Sequence, residues 1–132
     1  MSLKEVKIIK KTNRFKDYLT VDHYKLKHTL YEGGLSNVIE REVIERGHVA
    51  AVLLYDPKLD LFVLIEQFRP PAYIAKCSPW WSENFSPWMI ECVAGIIEEG
   101  ETPEELCRRE SMEEANCKII DLHFIYKYFS SP

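Results

Sequence analysis

The sequence predicts an α+β domain built on a mixed sheet. Three observations lead there. Short apolar, strand-like runs recur between turn signals; two runs face each other across EGG (32–34); and one segment, 103–115, carries helix signals at both ends. At 132 residues the chain is long enough to bury a core. Residues 1–45 are too polar and short to bury one alone and read as an N-terminal β-sheet region, with 46–132 as the main domain.

HYKLKHTLY (23–31) alternates weakly and LSNVIEREVI (35–44) resumes after the turn, so the two predict a β-hairpin. VAAVLLYD (49–56) is an almost continuous apolar run and predicts a buried strand. PKLD turns the chain, LFVLIEQF (61–68) returns as a second strand, and Pro70 and Pro71 stop it. CSPWWSENFSPW (77–88) predicts an ordered loop, because tryptophan is unfavourable in water. WMIECVAG (88–95) predicts a short strand ending at Gly95. Thr102 is suited to cap a helix, Pro103 to its first position, and Glu105 completes a Thr-x-x-Glu capping box. The helix should end near Ala115, with Asn116 in the left-handed position. CKIIDLHFIYKYF (117–129) is strand-like.

With 46% apolar and 29% charged residues, the composition is that of a globular protein. No apolar run approaches the ~18 residues of a membrane span. MSLKEVKIIKK has no signal-peptide core, so a cytoplasmic location is expected. Cysteines 77, 92, 107 and 117 form no Cys-x-x-Cys pair and read as free thiols of a reducing compartment. The net charge of −4 is uneven, for residues 98–114 hold eight acidic and two basic groups. One concentrated acidic segment argues against nucleic-acid binding and for a bound cation.

Within that segment, RRESMEEANC (108–117) sets Glu110, Glu113 and Glu114 at helical offsets i, i+3 and i+4. Like charges so spaced repel by a few tenths of a kcal/mol per pair. Carboxylates near a helix C-terminus also oppose its dipole. Either this is a solvated acidic face partnered by Arg108 and Arg109, or a divalent cation compensates it, and hard oxygen ligands suit Mg²⁺ or Mn²⁺.

The spacing favours the cation. Gly95, five residues, Glu101, seven residues, Arg109-Glu110, two residues, then Glu113-Glu114 closely resembles the Nudix box, G-x5-E-x7-R-E-U-x-E-E-x-G-U, with U a bulky aliphatic. Every charged position is filled. Ser111 and Cys117 replace aliphatic residues and Asn116 replaces glycine, which leaves the charged set intact. EREVIERGHVAAVLLYD, VLIEQFRPPAY and VAGIIEEGE are similar to the ADP-ribose pyrophosphatase branch, as is the Ser-Pro at Pro132, 15 residues past Cys117.

The resemblance implies a Nudix α/β/α sandwich whose loop-helix-loop holds Mg²⁺ against a diphosphate. Glu110 and Glu114 would be the main ligands, with Glu113 a further one and the Ala94 carbonyl the backbone ligand. Arg109 and Glu101 would pair and brace the loop. The implied reaction is hydrolysis of ADP-ribose, or a similar ADP-sugar, to AMP and ribose 5-phosphate. Arg69 would suit a phosphate oxygen, against the plainer reading of a surface arginine. Arg41 and Glu42 match positions that approach the nucleotide, often from a partner subunit; a strand-surface ion pair is the alternative. Tyr18 would stack on the base or serve in packing. The N-terminal sheet implies a homodimer.

Two departures stand out. The 77–88 loop is longer than the turn expected there, and reads as a specificity lid or an inserted packing loop. Only 15 residues follow Cys117, where the family continues with further strands, a final helix and a loop bearing the general base. That base is therefore expected beyond Pro132, and a chain of this length is expected to be weakly active or inactive. Alternatives are cleavage of another nucleoside diphosphate sugar (UDP- or GDP-sugar) and a non-catalytic Nudix-fold nucleotide-binding module.

Overall fold

A computed structural model describes residues 4–75, 77–81 and 85–129. The Ser-Pro at the end of the chain and the middle of the 77–88 loop lie outside these. The chain divides into two compact units, residues 1–47 and 48–132.

In the first unit, β1 (Val6–Lys16), β2 (Thr20–His28) and β3 (Ile39–Glu45) form an antiparallel sheet with β2 central. β2 and β3 are the hairpin expected from the sequence, Tyr24 facing Arg41 and Leu26 facing Ile39. β1 carries no alternation that marks it in advance: Lys7, Lys10 and Lys11 interrupt its apolar residues. Its register slips twice against β2, as bulges do on edge strands. Asp22 is the sheet's buried charge. Lys11, at 2.8 Å, and the Asn13 amide, at 3.0 Å, hold its carboxyl below the usual range.

In the second unit the long apolar runs are each cut in two. VAAVLLYD divides at Leu53 into β4 (Val49–Val52) and β5 (Leu54–Asp56). LFVLIEQF divides at Leu64 into β6 (Leu61–Val63) and β7 (Ile65–Phe68). WMIECVAG divides at Cys92 into β8 (Trp88–Glu91) and β9 (Val93–Ile96), one residue past the expected end. The cause is a change of partner at each break, for β4 pairs with β9, β5 with β6 and β7 with β8. A run read as one buried strand is therefore two short ones. Only Leu54 in it is buried, because β4 alternates between an exposed face and a half-buried one covered by the helix.

All ladders among the described residues are antiparallel. The parallel pairing of a mixed sheet is not among them; a tight turn such as Pro57–Asp60 can join only antiparallel strands. Pro70 and Pro71 end β7 and also open a short helix, α1 (Pro70–Ala75), where a missing N–H costs nothing. Trp81 stacks on Phe85 and Trp88 meets Phe68, but Trp80 stays exposed, against the expectation for this loop. Residues 117–129 are not a strand. Their apolar side chains Ile120, Phe124, Tyr126 and Phe129 are exposed, and no ladder partner borders them among the described residues. β-propensity without a partner surface does not make a strand. No helix of the described residues is long and apolar enough to cross a membrane.

The second helix, α2 (Pro103–Ala115), has the expected ends. The Glu105 N–H donates to Thr102 Oγ1 at 3.2 Å and the Thr102 N–H to Glu105 Oε2 at 2.8 Å. Asn116 is left-handed at φ 50°, and its N–H reaches the Met112 carbonyl. α2 packs on β4 and β9, burying Leu106 and Cys107 against Val93 and setting the acidic face beside the sheet.

Candidate active site

The loop from Ile97 to Glu101 closes on itself. Glu101 N–H donates to the Glu98 carbonyl, and Glu98 N–H donates to Glu101 Oε2 at 3.0 Å. Gly100, at φ 83°, takes the conformation a side chain would strain. Glu101 then receives both edges of Arg109, Nε at 2.9 Å and Nη2 at 3.1 Å. This charge-assisted fork ties the loop to the helix.

Arg109 divides its donors. Its third nitrogen, Nη1, reaches Glu110 at 2.9 Å and Glu113 at 3.3 Å. The arginine thus offsets the like charges of the acidic face. Arg109 first, then the Glu98 N–H, hold the Glu101 carboxyl below the usual carboxylate range, and Glu101 in turn raises the Arg109 pKa. A depressed carboxyl stabilises the fold above its unfolded pKa of about 4.3 and loses that contribution as pH falls through the folded value. Thermal melts between pH 7 and 3 should therefore show a steeper acid loss in the native chain than in Arg109→Ala. Parallel curves would show that the pair does not couple to folding.

Gly95 lies opposite Ala50 in the β4–β9 ladder, directly beneath Glu110. A Cβ built there would overlap the Glu110 side chain, so glycine leaves the space this carboxylate occupies. Ala94, whose carbonyl is the candidate backbone ligand, is the preceding residue on the same strand, opposite Ala51.

Glu114 points elsewhere. Its Oε1 lies 3.4 Å from Gln67 Nε2 on β7, and its Oε2 is buried with no partner, as is Gln67 Oε1. Gln67 also places β7 facing α2, since side chains on one face of a strand alternate by two. Arg69, just past β7, is engaged by Glu91 of β8, with Nε at 3.0 Å from Oε1 and Nη2 at 2.6 Å from Oε2. The Arg69 guanidinium holds the Glu91 carboxyl below its usual range. Sequence reasoning singled out Arg69 but missed Glu91, the one polar residue of β8, and Gln67, which follows Glu66 in β7.

Arg41, Glu42 and Tyr18 belong to the first unit. Arg41 donates to the Glu40 carbonyl at 2.7 Å, Glu42 faces His23 across the ladder, and Tyr18 is 80% exposed in the β1–β2 turn.

Among the described residues no three His, Cys, Asp or Glu side chains converge to hold a metal ion. Glu110 and Glu113 are turned to Arg109, Glu114 to Gln67. The donor set still suits a hard divalent cation, being all oxygen, and a buried carboxylate oxygen without a partner is what such an ion satisfies.

A profile of the NUDIX domain matches residues 45–131. The chain belongs to the Nudix family. It is 38% identical over 128 residues to a protein of Escherichia coli (strain K12) named ADP-ribose pyrophosphatase, covering 97% of this chain and 57% of that protein. It is 35% identical over 131 residues to the ADP-ribose pyrophosphatase of Haemophilus influenzae, covering 99% of this chain and 58% of that protein. A GDP-mannose pyrophosphatase of Yersinia pestis is 36% identical over 92 residues, 70% of this chain and 42% of that protein. The chain thus spans a little over half the length of the ADP-ribose pyrophosphatases it matches.

The departures from the Nudix pattern have local explanations. Ser111 is fully buried in an aliphatic position, and its hydroxyl is satisfied by donating to the Cys107 carbonyl at 2.6 Å. Asn116 takes the left-handed turn glycine would take. Cys117 caps the helix through its backbone, its N–H reaching the Ser111 carbonyl at 2.9 Å.

Proposed function

We propose that this Nudix chain cleaves the diphosphate linkage of ADP-ribose, or a similar ADP-sugar, with Mg²⁺ as cofactor and Mn²⁺ as a substitute. Water adds across one P–O bond of the diphosphate, giving AMP and ribose 5-phosphate. The observation that carries the substrate is the extent of similarity: proteins named ADP-ribose pyrophosphatase align over nearly the whole chain, including the N-terminal sheet, whereas proteins named GDP-mannose pyrophosphatase align over 70% of it.

Glu110, Glu114 and the Ala94 carbonyl would hold the cation, with Glu113 as a further or outer ligand. When bound, the cation neutralises diphosphate charge and polarises an attacking water. Arg109 holds Glu101 through Nε and Nη2 and Glu110 through Nη1, so the brace of the loop would not depend on the Glu110 contact. Arg69 supplies a guanidinium for a phosphate oxygen, and Glu91 keeps it extended until substrate competes for its donors. Arg41, Glu42 and Tyr18 of the N-terminal region would approach the nucleotide. The exposed apolar residues Val6, Ile8 and Ile9 on β1 support a homodimer through that region. The domain would complete a Nudix α/β/α sandwich, and a cytoplasmic setting suits the four free thiols.

A second reading, preference for GDP-mannose or another GDP- or UDP-sugar, is favoured by the second group of relatives. A panel of nucleoside diphosphate sugars with Mg²⁺, read by phosphate release after phosphatase coupling, separates the two. ADP-ribose should show the highest kcat/KM. A higher value for GDP-mannose would replace the substrate proposed here, and nucleotide binding without turnover of any member would favour a binding module.

A further inference from the structure

Gln67 has no assigned part in the chemistry, yet it is the partner of Glu114, and each of the two side chains keeps one buried oxygen unpartnered. Each is unfavourable unless something reaches it, because a buried acceptor left unmade costs about 1–3 kcal/mol. An amide turned the other way would set Gln67 Oε1 against Glu114 Oε1, acceptor on acceptor, so the N–H side must face the carboxylate. The 3.4 Å separation is long for a hydrogen bond.

We propose that Gln67 is a positioning residue for the cation site. Its Nε2 fixes Glu114 Oε1, which leaves the partnerless Oε2 as the ligand oxygen. Its own Oε1, likewise buried without a partner, can accept a hydrogen bond from a water. β7 is well placed for this duty: it is held in register by β8, with Gln67 opposite Met89, and it stands on a different element from every residue of the box. The inference rests on the reading of Glu114 as a ligand, and the test keeps the two apart.

The test is Mn²⁺ binding without substrate, followed by loss of the free-ion EPR signal, with metal-free melting temperatures as the folding control. Gln67→Met keeps the length and removes both polar atoms. It should weaken Mn²⁺ binding at least ~10-fold, the usual cost of losing a group that orients a ligand, with an unchanged metal-free melt. The double variant with Glu114→Gln should lose no more than Glu114→Gln alone, since Gln67 acts through that carboxylate. Should Gln67→Met fold poorly, Gln67→Asn withdraws the same amide by one methylene and is read the same way. Native Mn²⁺ affinity in the Gln67 variant, with affinity lost in Glu114→Gln, overturns the positioning role and leaves the ligand reading standing. Native affinity in both overturns the ligand reading, and the Gln67 proposal with it.

Discussion

Glu114→Gln should lower kcat for ADP-ribose by about 1000-fold while leaving nucleotide binding nearly intact. The change is isosteric, so β7 still meets α2 and the helix caps are untouched. What disappears is the negative charge on the buried, partnerless oxygen. A bound cation contributes several kcal/mol to a transition state of this kind, and a factor of ten in rate is about 1.4 kcal/mol. Steady-state kinetics with ADP-ribose, paired with calorimetric titration of AMP, measures both quantities. A variant that turns over within tenfold of the native chain would remove Glu114 from the site.

Gly95→Ala should be nearly as damaging, for a different reason. The added Cβ and the Glu110 carboxylate cannot share one position. Glu110 must leave Arg109, or β9 must move away from α2. The clash is with a flexible side chain, so the effect should fall on the position of the carboxylate more than on stability. Activity should fall about 100-fold, since a misplacement near 1 Å carries such a cost. Melting temperature and kcat measured together decide the case; an alanine variant with native values of both would mean that Glu110 does not lie over the strand. The same test separates this glycine from Gly100, where a substitution strains the dihedral but meets no neighbouring atom within 4 Å.

What the sequence made legible follows from the range of the forces involved. The limits of α2 could be read because capping is local: Thr102, Glu105 and Asn116 lie within one turn of the ends they determine. The Arg109–Glu101 fork followed from the family's spacing. Breaks at Leu53, Leu64 and Cys92 could not be read, because each depends on which distant strand pairs with each half of the run. The Gln67–Glu114 and Arg69–Glu91 contacts span 47 and 22 residues, and no local pattern encodes them. Residues 117–129 misled for the same reason, being apolar enough for a strand but without a ladder among the described residues.

The most direct test is ³¹P NMR of ADP-ribose incubated with a stoichiometric amount of the protein, so that slow turnover still registers, with and without Mg²⁺. The diphosphate signals should give way to those of AMP and ribose 5-phosphate only when Mg²⁺ is present and Glu114 is intact. The same products formed equally with and without Mg²⁺, or formed by Glu114→Gln at the native rate, would contradict a cation-dependent hydrolase built on the acidic face of α2.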